Sequence, residues 1–210
     1  MRSRIVWILA LVVALPASAR GQSFDVPSFQ SPFAESGIGL FALSPEADRL
    51  GGLVTWRQSG ERVDLGLRGG LLEIAGGGQA YLAGVEIKRG RGDRDATGGE
   101  AALVSGLGVG WAPDQDFVRI RMPLGITIGK RHEAGALAII PYVHPRALID
   151  VDLREQVDAS GEGRWDEDTD LNFDVDLGFD VEFSRSVMAR FAATLGHDEA
   201  IRAGITILGF

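Results

Sequence analysis

The chain has 210 residues, a formal net charge of −8, no cysteine and 29 glycines. The acidic balance argues against nucleic acid as a partner, and a chain of this size can build a core without disulfides. Glycine stands at about twice its usual ~7% and lies inside alternating segments, where it marks close backbone approach or a tightly curved wall.

Arg2 and Arg4 precede an apolar run from Ile5 to Leu15, which Pro16 breaks ahead of Ala17-Ser18-Ala19. That is the layout of a cleaved secretory signal peptide, and the run is shorter than the about 20 residues needed to cross a bilayer. Residues 1–19 are therefore expected to be removed on export. Residues 20–35 read as an N-terminal leader of turn and coil composition, anchored only by Phe24, Phe29 and Phe33. It is expected on the periplasmic side. No later run is long and apolar enough for a transmembrane helix.

Residues 36–210 read as about ten strand-like segments, with eight to twelve compatible with the pattern. The first four cover residues 37–43, 52–58, 63–73 and 79–89, separated by Ser44-Pro45, Ser59-Gly60 and Gly76-Gly77-Gly78. Residues 91–99 form a charged, glycine-rich loop. In residues 100–112, Leu103, Leu107, Val109 and Trp111 oppose Gly106, Gly108 and Gly110. After the turn at residues 113–116, residues 117–130 set Val118, Ile120, Met122, Leu124, Ile126 and Ile128 against Arg119, Arg121 and Gly125. His132-Glu133-Ala134 reads as a turn.

Residues 135–154 form the one overlong segment, about 65 Å at ~3.3 Å per residue. Either this strand runs far past an apolar band of ~25 Å, or His144-Pro145-Arg146 is a turn between two strands. Residues 155–170 read as an acidic loop, Ser184-Arg185-Ser186 as a tight turn, and residues 187–196 and 200–210 as the last two strands. Pro123, Pro141 and Pro145 each remove a ladder donor, so bulges are expected around them.

The clearest pattern is residues 171–183. Leu171, Phe173, Val175, Leu177, Phe179, Val181 and Phe183 alternate with Asn172, Asp174, Asp176, Gly178, Asp180 and Glu182. A period of two over this length is a strand with two chemically opposite faces. Many such strands with hairpin connections make an all-β fold, an antiparallel up-and-down barrel or a sandwich.

The export signal and the continuous apolar faces favour an outward apolar face in lipid. So do the aromatics near strand ends, Trp56, Tyr81, Trp111, Phe117, Tyr142 and Phe191. On lipid, Arg or Lys at mid-depth costs roughly 2–4 kcal/mol, and Asp or Glu somewhat less. The carboxylates must then point inward.

With Phe210 at the end of the last strand and Leu208 two residues before it, the chain resembles the small bacterial outer-membrane β-barrels of the OmpA and OmpX style. Arg202, Gly204 and Thr206 do not continue that apolar series; Ile201, Ala203, Ile205 and Ile207 hold the opposite phase. The resemblance implies a transmembrane barrel in the outer membrane of a Gram-negative bacterium. Its partners would be membrane lipid, lipopolysaccharide and the barrel assembly machinery, which reads Leu208 and Phe210 as an assembly signal.

The inward charges form the first candidate site. They are Arg119, Arg121, Asp150, Asp152, Asp174, Asp176, Asp180, Glu182, Arg190 and Arg202, expected to fill the lumen as a paired network because buried charges must be paired. The second is residues 166–170. Its alternating aspartates resemble the start of a calcium loop, but Leu171 and Leu177 stand where such a loop needs Gly and Glu. The reading there is a solvated acidic loop. Gly106-Leu107-Gly108-Val109-Gly110 lacks the spacing of a dinucleotide-binding turn, and His132, His144 and His197 are expected in turns. No nucleophile elbow, zinc-protease motif or P-loop is present, so no enzyme, cofactor or metal is expected. The leading expectation is a structural or surface-interaction barrel. A narrow porin-like pore, a soluble exported barrel carrying an apolar ligand, and a membrane-embedded enzyme built on Asp174 and Asp176 stand beside it.

Overall fold

The computed structural model describes residues 31–44, 49–74, 78–90, 93, 97–157 and 163–209. The signal-peptide segment, most of the leader with Phe24 and Phe29, Pro45, Gly76 and Gly77, most of the loop at 91–99, and Phe210 lie outside the described residues. The strands are β1 (Gly37–Ser44), β2 (Gly51–Ser59), β3 (Val63–Glu73), β4 (Gln79–Arg89), β5 (Gly99–Ala112) and β6 (Phe117–Lys130). Then come the short β7 (His132–Ala134), β8 (Leu137–Val157), β9 (Gly163–Glu182), β10 (Val187–Gly196) and β11 (Ala200–Leu208).

Apart from β6 and β7, which do not pair with each other, each strand pairs antiparallel with its sequence neighbours; β1 also pairs with β11, and β6 with β8. The result is a closed up-and-down barrel of ten strands, because β7 only continues the β6 ladder past Arg131. Closure removes every free edge around the ring. β1 begins and β11 stops at one rim, the terminal rim, where Gly37 pairs with Leu208. The turns after β1, β3, β5, β8 and β10 lie at the opposite, far rim.

The faces sort as the alternation demands. Phe173 is 67% exposed on the outside of β9, while Asp176 and Asp180 are 0% exposed on the inside. On β6 the outward row runs from Val118 to Ile128. That is about 33 Å of strand, or roughly 25 Å of height at the tilt usual for such walls. Tyr81 and Trp111 are outward cross-strand neighbours with ring centroids 5.8 Å apart. Phe117 and Tyr142 correct the aromatic expectation: both point inward and are buried.

The overlong segment resolves as one strand. β8 runs through His144, Pro145 and Arg146 without a turn. Its partner β9 starts at Gly163, so most of the expected acidic loop at 155–170 is strand. β10 accompanies β9 only up to the Gly196–Asp174 pair. The β8–β9 hairpin therefore stands above the neighbouring wall at the far rim, with Trp165 53% exposed on it. His132 lies in β7 and His144 in β8, not in turns.

The prolines need no bulges. Pro141 pairs with Phe179 and Pro145 with Val175 in an unbroken β8–β9 register. The β5–β6 ladder is interrupted opposite Pro123 and resumes in the same register. A bulge would have shifted the register by one. The proline positions instead leave a ladder donor missing within an otherwise regular wall.

The interior is not uniformly charged. Towards the far rim, Phe41, Leu43, Leu53, Leu72, Leu82 and Phe117 pack as a buried apolar cluster against the wall of β1–β5. Inward glycines make room for the large rings. A Cβ at Gly204 would fall on the Phe41 ring, and one at Gly178 would fall on the Tyr142 ring from the neighbouring strand.

Gly178→Ala is expected to lower stability by about 1–3 kcal/mol, because the Tyr142 ring must leave its place in a filled interior. Gly52→Ala, where a Cβ meets nothing, is expected within about 0.5 kcal/mol of wild type. Urea unfolding in detergent, read by tryptophan fluorescence, compares the two.

Candidate functional site

The lumen is the chemically distinctive part of the molecule. Its charged half is built by register: inward positions on adjacent strands fall directly opposite one another, where side chains interact most strongly. Arg119 faces Asp152 and Arg121 faces Asp150 across β6–β8, while Arg190 faces Asp180 across β9–β10.

All three pairs are bidentate. Arg119 donates through Nε and Nη2 to Asp152 at 2.5 and 2.6 Å, and Arg121 to Asp150 at 2.5 and 2.7 Å. Arg190 donates to Asp180 at 3.0 and 2.7 Å. Two parallel charge-assisted bonds fix each fork.

Three layers follow the barrel axis. Towards the far rim, Arg121 also meets Asp198, and Asn172 donates to Asp150 at 3.1 Å. In the middle, Asp176 is the hub. Arg146 Nε lies 3.2 Å and His144 Nδ1 3.3 Å from its Oδ2, Thr194 bonds its Oδ1, and Arg202 Nη1 lies 3.6 Å from that same oxygen. Arg146 also reaches Asp174 at 3.5 Å, and Arg202 donates to Thr194 Oγ1 at 2.6 Å.

The third layer, towards the terminal rim, includes a segment that is not part of the wall. Residues 31–36 enter the lumen, with Ser31, Phe33 and Glu35 buried. Arg190 Nη1 donates to Glu35 Oε1 at 2.6 Å, and Arg57 bonds the same oxygen. Arg57 also reaches Glu86 at 3.2 Å, and Arg68 reaches Glu86 at 3.4 Å. Lys88 lies 3.1 Å from Asp64 and donates to the carbonyls of Ser31 and Phe33 at 3.3 and 2.6 Å. At the rim itself, Arg131 donates to Glu182 at 2.5 Å.

Burial alone would raise the Glu35 carboxyl. Arg190, Arg57 and Lys88 outweigh it and hold the group at about 2, below its ordinary 4.5. Arg57 is on β2 and Arg190 on β10, the strands flanking the β1–β11 pair that closes the barrel. One carboxylate thus spans the closing seam.

The ten charged residues picked out by alternation all lie on the inner phase, as members of these pairs and triads. Leu208 also lies on the inner phase and is buried; the outward row of β11 is Ile201, Ile205 and Ile207. The missed residues fall into three kinds. Arg57, Arg68, Asp64, Glu86 and Lys88 share the phase of the inward glycines and were legible by extending the alternation. Arg146 and His144 were obscured by Pro145, which suggested a turn, and Glu35 carries no periodic signal at all.

Residues 166–170 lie on a strand, so Asp166, Asp168 and Asp170 share one face and Glu167 takes the other. Among the described residues no group of three or more His, Asp or Glu side chains is arranged to hold a metal. No family model matches this chain, and no curated protein matches it either.

Since Glu35 is held below its ordinary range, the stability it contributes is complete above about pH 4.5 and is lost as pH falls towards 2. The difference in unfolding free energy between wild type and Glu35→Gln is expected to be largest near neutrality and to shrink across that window. Denaturant titrations at several pH values check this. Asp176→Leu leaves its cations in the lumen without their carboxylate, and the same titration at neutral pH is expected to show a loss of about 3–5 kcal/mol.

Proposed function

We propose that this chain is an integral outer-membrane β-barrel protein of a Gram-negative bacterium. Its role is structural or in surface interaction, and its lumen is closed by its own side chains. One observation carries the reading. Among the described residues of the outward phase, charged residues occur only towards the rims and on the raised hairpin, at Glu73, Arg89, Lys130, Glu155 and Glu167. Between them the ring is apolar, with Leu40, Leu67, Leu107, Leu124, Phe173 and Ile205 all exposed.

Burying a side chain of this size gains about 1.5–3 kcal/mol relative to leaving it in water. A belt around the whole circumference far exceeds the few hundred Å² of contiguous apolar surface typical of a soluble monomer. Acyl tails are the medium that removes the penalty. The roughly 25 Å height of the β6 row matches the apolar band of such barrels. Trp56 towards the terminal rim, and Tyr81 and Trp111 towards the far rim, sit where interfacial aromatics are found.

The closed lumen follows from size and charge. An interior of about eight to ten strands is filled by side chains, and here it holds paired ions and an apolar cluster. A recess against Phe41, Arg57, Gly66 and Glu86 has a volume of about 10 Å³, room for a single water. The exposed β8–β9 hairpin at the far rim is the surface offered to lipopolysaccharide or to a partner, and the barrel assembly machinery would insert the wall.

Expressed in a Gram-negative host, the protein is expected to stay with urea-washed outer membranes and to run as a faster gel band when unheated. Release into the wash, or an unshifted band, would falsify the proposal. Leu124→Arg, near the middle of the outward β6 row, is expected to cost about 2–4 kcal/mol in lipid. An effect near zero in liposomes would show that this face does not meet acyl chains.

A further inference from the structure

Residues 31–36 are held in the manner of a bound peptide. Ser36 ties them to the wall, its carbonyl accepting from Gly209 N at 3.0 Å. Before that point Pro32 sits at a bend and Phe33 makes a single β-bridge, and side chains of the barrel read main-chain and side-chain groups of the segment. Lys88 Nζ takes the carbonyls of Ser31 and Phe33, and Ser59 Oγ donates to the carbonyl of Glu35 at 2.8 Å. Arg57 and Arg190 converge on the Glu35 carboxylate. A backbone-reading lysine and serine, together with a two-arginine clamp for one carboxylate, make a recognition site for a short acidic peptide.

Charge gives the site a reason to stay filled. In this layer Arg57, Arg68, Lys88 and Arg190 are balanced by Glu35, Asp64, Glu86 and Asp180. Removing Glu35 leaves one positive charge in excess in a desolvated interior, which is strongly unfavourable unless another anion enters. The segment lies close to the rim: Pro32 lies beside Gly129, two positions before Arg131. Arg131 lines a recess of about 530 Å³ at the terminal rim, together with Leu137, Glu182 and Arg185.

We infer that the lumen at the terminal rim is a receptor for a short peptide bearing a carboxylate, and that residues 31–36 are its resident, displaceable occupant. The inference concerns only where this segment sits, so it stands apart from the question of which membrane holds the barrel.

The chain has no cysteine, so a single one reports cleanly. Ser31→Cys in the refolded full-length protein places a thiol at a buried position of the segment. Its labelling by a membrane-impermeant maleimide is expected to be slow. Adding a peptide with the sequence of residues 31–36 is expected to speed labelling about tenfold or more, the size of one lost charge-assisted hydrogen bond. The same peptide with Gln in place of Glu is expected to have no effect. Glu35→Gln in the chain is expected to speed labelling without added peptide. A β-sheet circular dichroism spectrum with a cooperative urea transition verifies that each variant is folded, and Ala34→Cys is the second reporter if Ser31→Cys does not fold. Fast labelling of the folded protein at the outset overturns the inference, as does either acceleration without the other.

Discussion

A ten-stranded wall closed on itself has an interior only a few side chains across. A carboxylate that enters it leaves bulk water, and the cost of an unpaired buried ion is far larger than any single packing contact. Everything else in the lumen follows from meeting that demand. Antiparallel register puts Arg121 opposite Asp150 and Arg190 opposite Asp180, so the ladder that forms the wall also assigns the partners. Where direct opposition is not enough, hubs form, as at Asp176 with Arg146, His144, Thr194 and Arg202.

The seam between β1 and β11 pairs the first strand with the last and joins the two ends of the described wall. Towards the terminal rim its inner face carries Gly37, Gly39, Gly204, Thr206 and Leu208, none of them charged; its one charged residue, Arg202, lies further towards the far rim and is committed to Asp176. The leader supplies a carboxylate from outside the wall. Glu35 reaches Arg57 on one side of the seam and Arg190 on the other, and the Phe41 ring covers Gly204 on the next strand. Wall and plug are thereby coupled: the same contacts that seat residues 31–36 tie the strands flanking the closure.

The two faces of the wall solve opposite problems with one alternation. Outside, charge is confined towards the rims and the raised hairpin; inside, charge is gathered in layers, with a separate apolar cluster around Phe41, Leu53 and Phe117. The long β8–β9 hairpin breaks this symmetry only past the end of β10, where both faces of β9 become exposed and its side chains turn acidic. A two-stranded ribbon of that kind gains little by burial, and β6 supports it as far as the Phe117–Arg154 pair.

The sequence by itself determined the class of fold, the approximate number of strands, and which phase of each strand is apolar. Those are local facts: a period of two is written in consecutive residues, as in Phe173, Val175 and Leu177 against Asp174 and Asp176. Only the tertiary structure decided which charge meets which, because the partners are brought together by the closing register and are far apart along the chain, Arg190 and Glu35 by 155 positions. It also decided that Phe117 and Tyr142 turn inward, that Pro145 is carried within a regular strand, and that residues 31–36 lie inside. An aromatic is compatible with either face, a proline can be accommodated wherever the neighbouring ladder holds the strand, and a segment without periodicity carries no local record of the cavity that receives it.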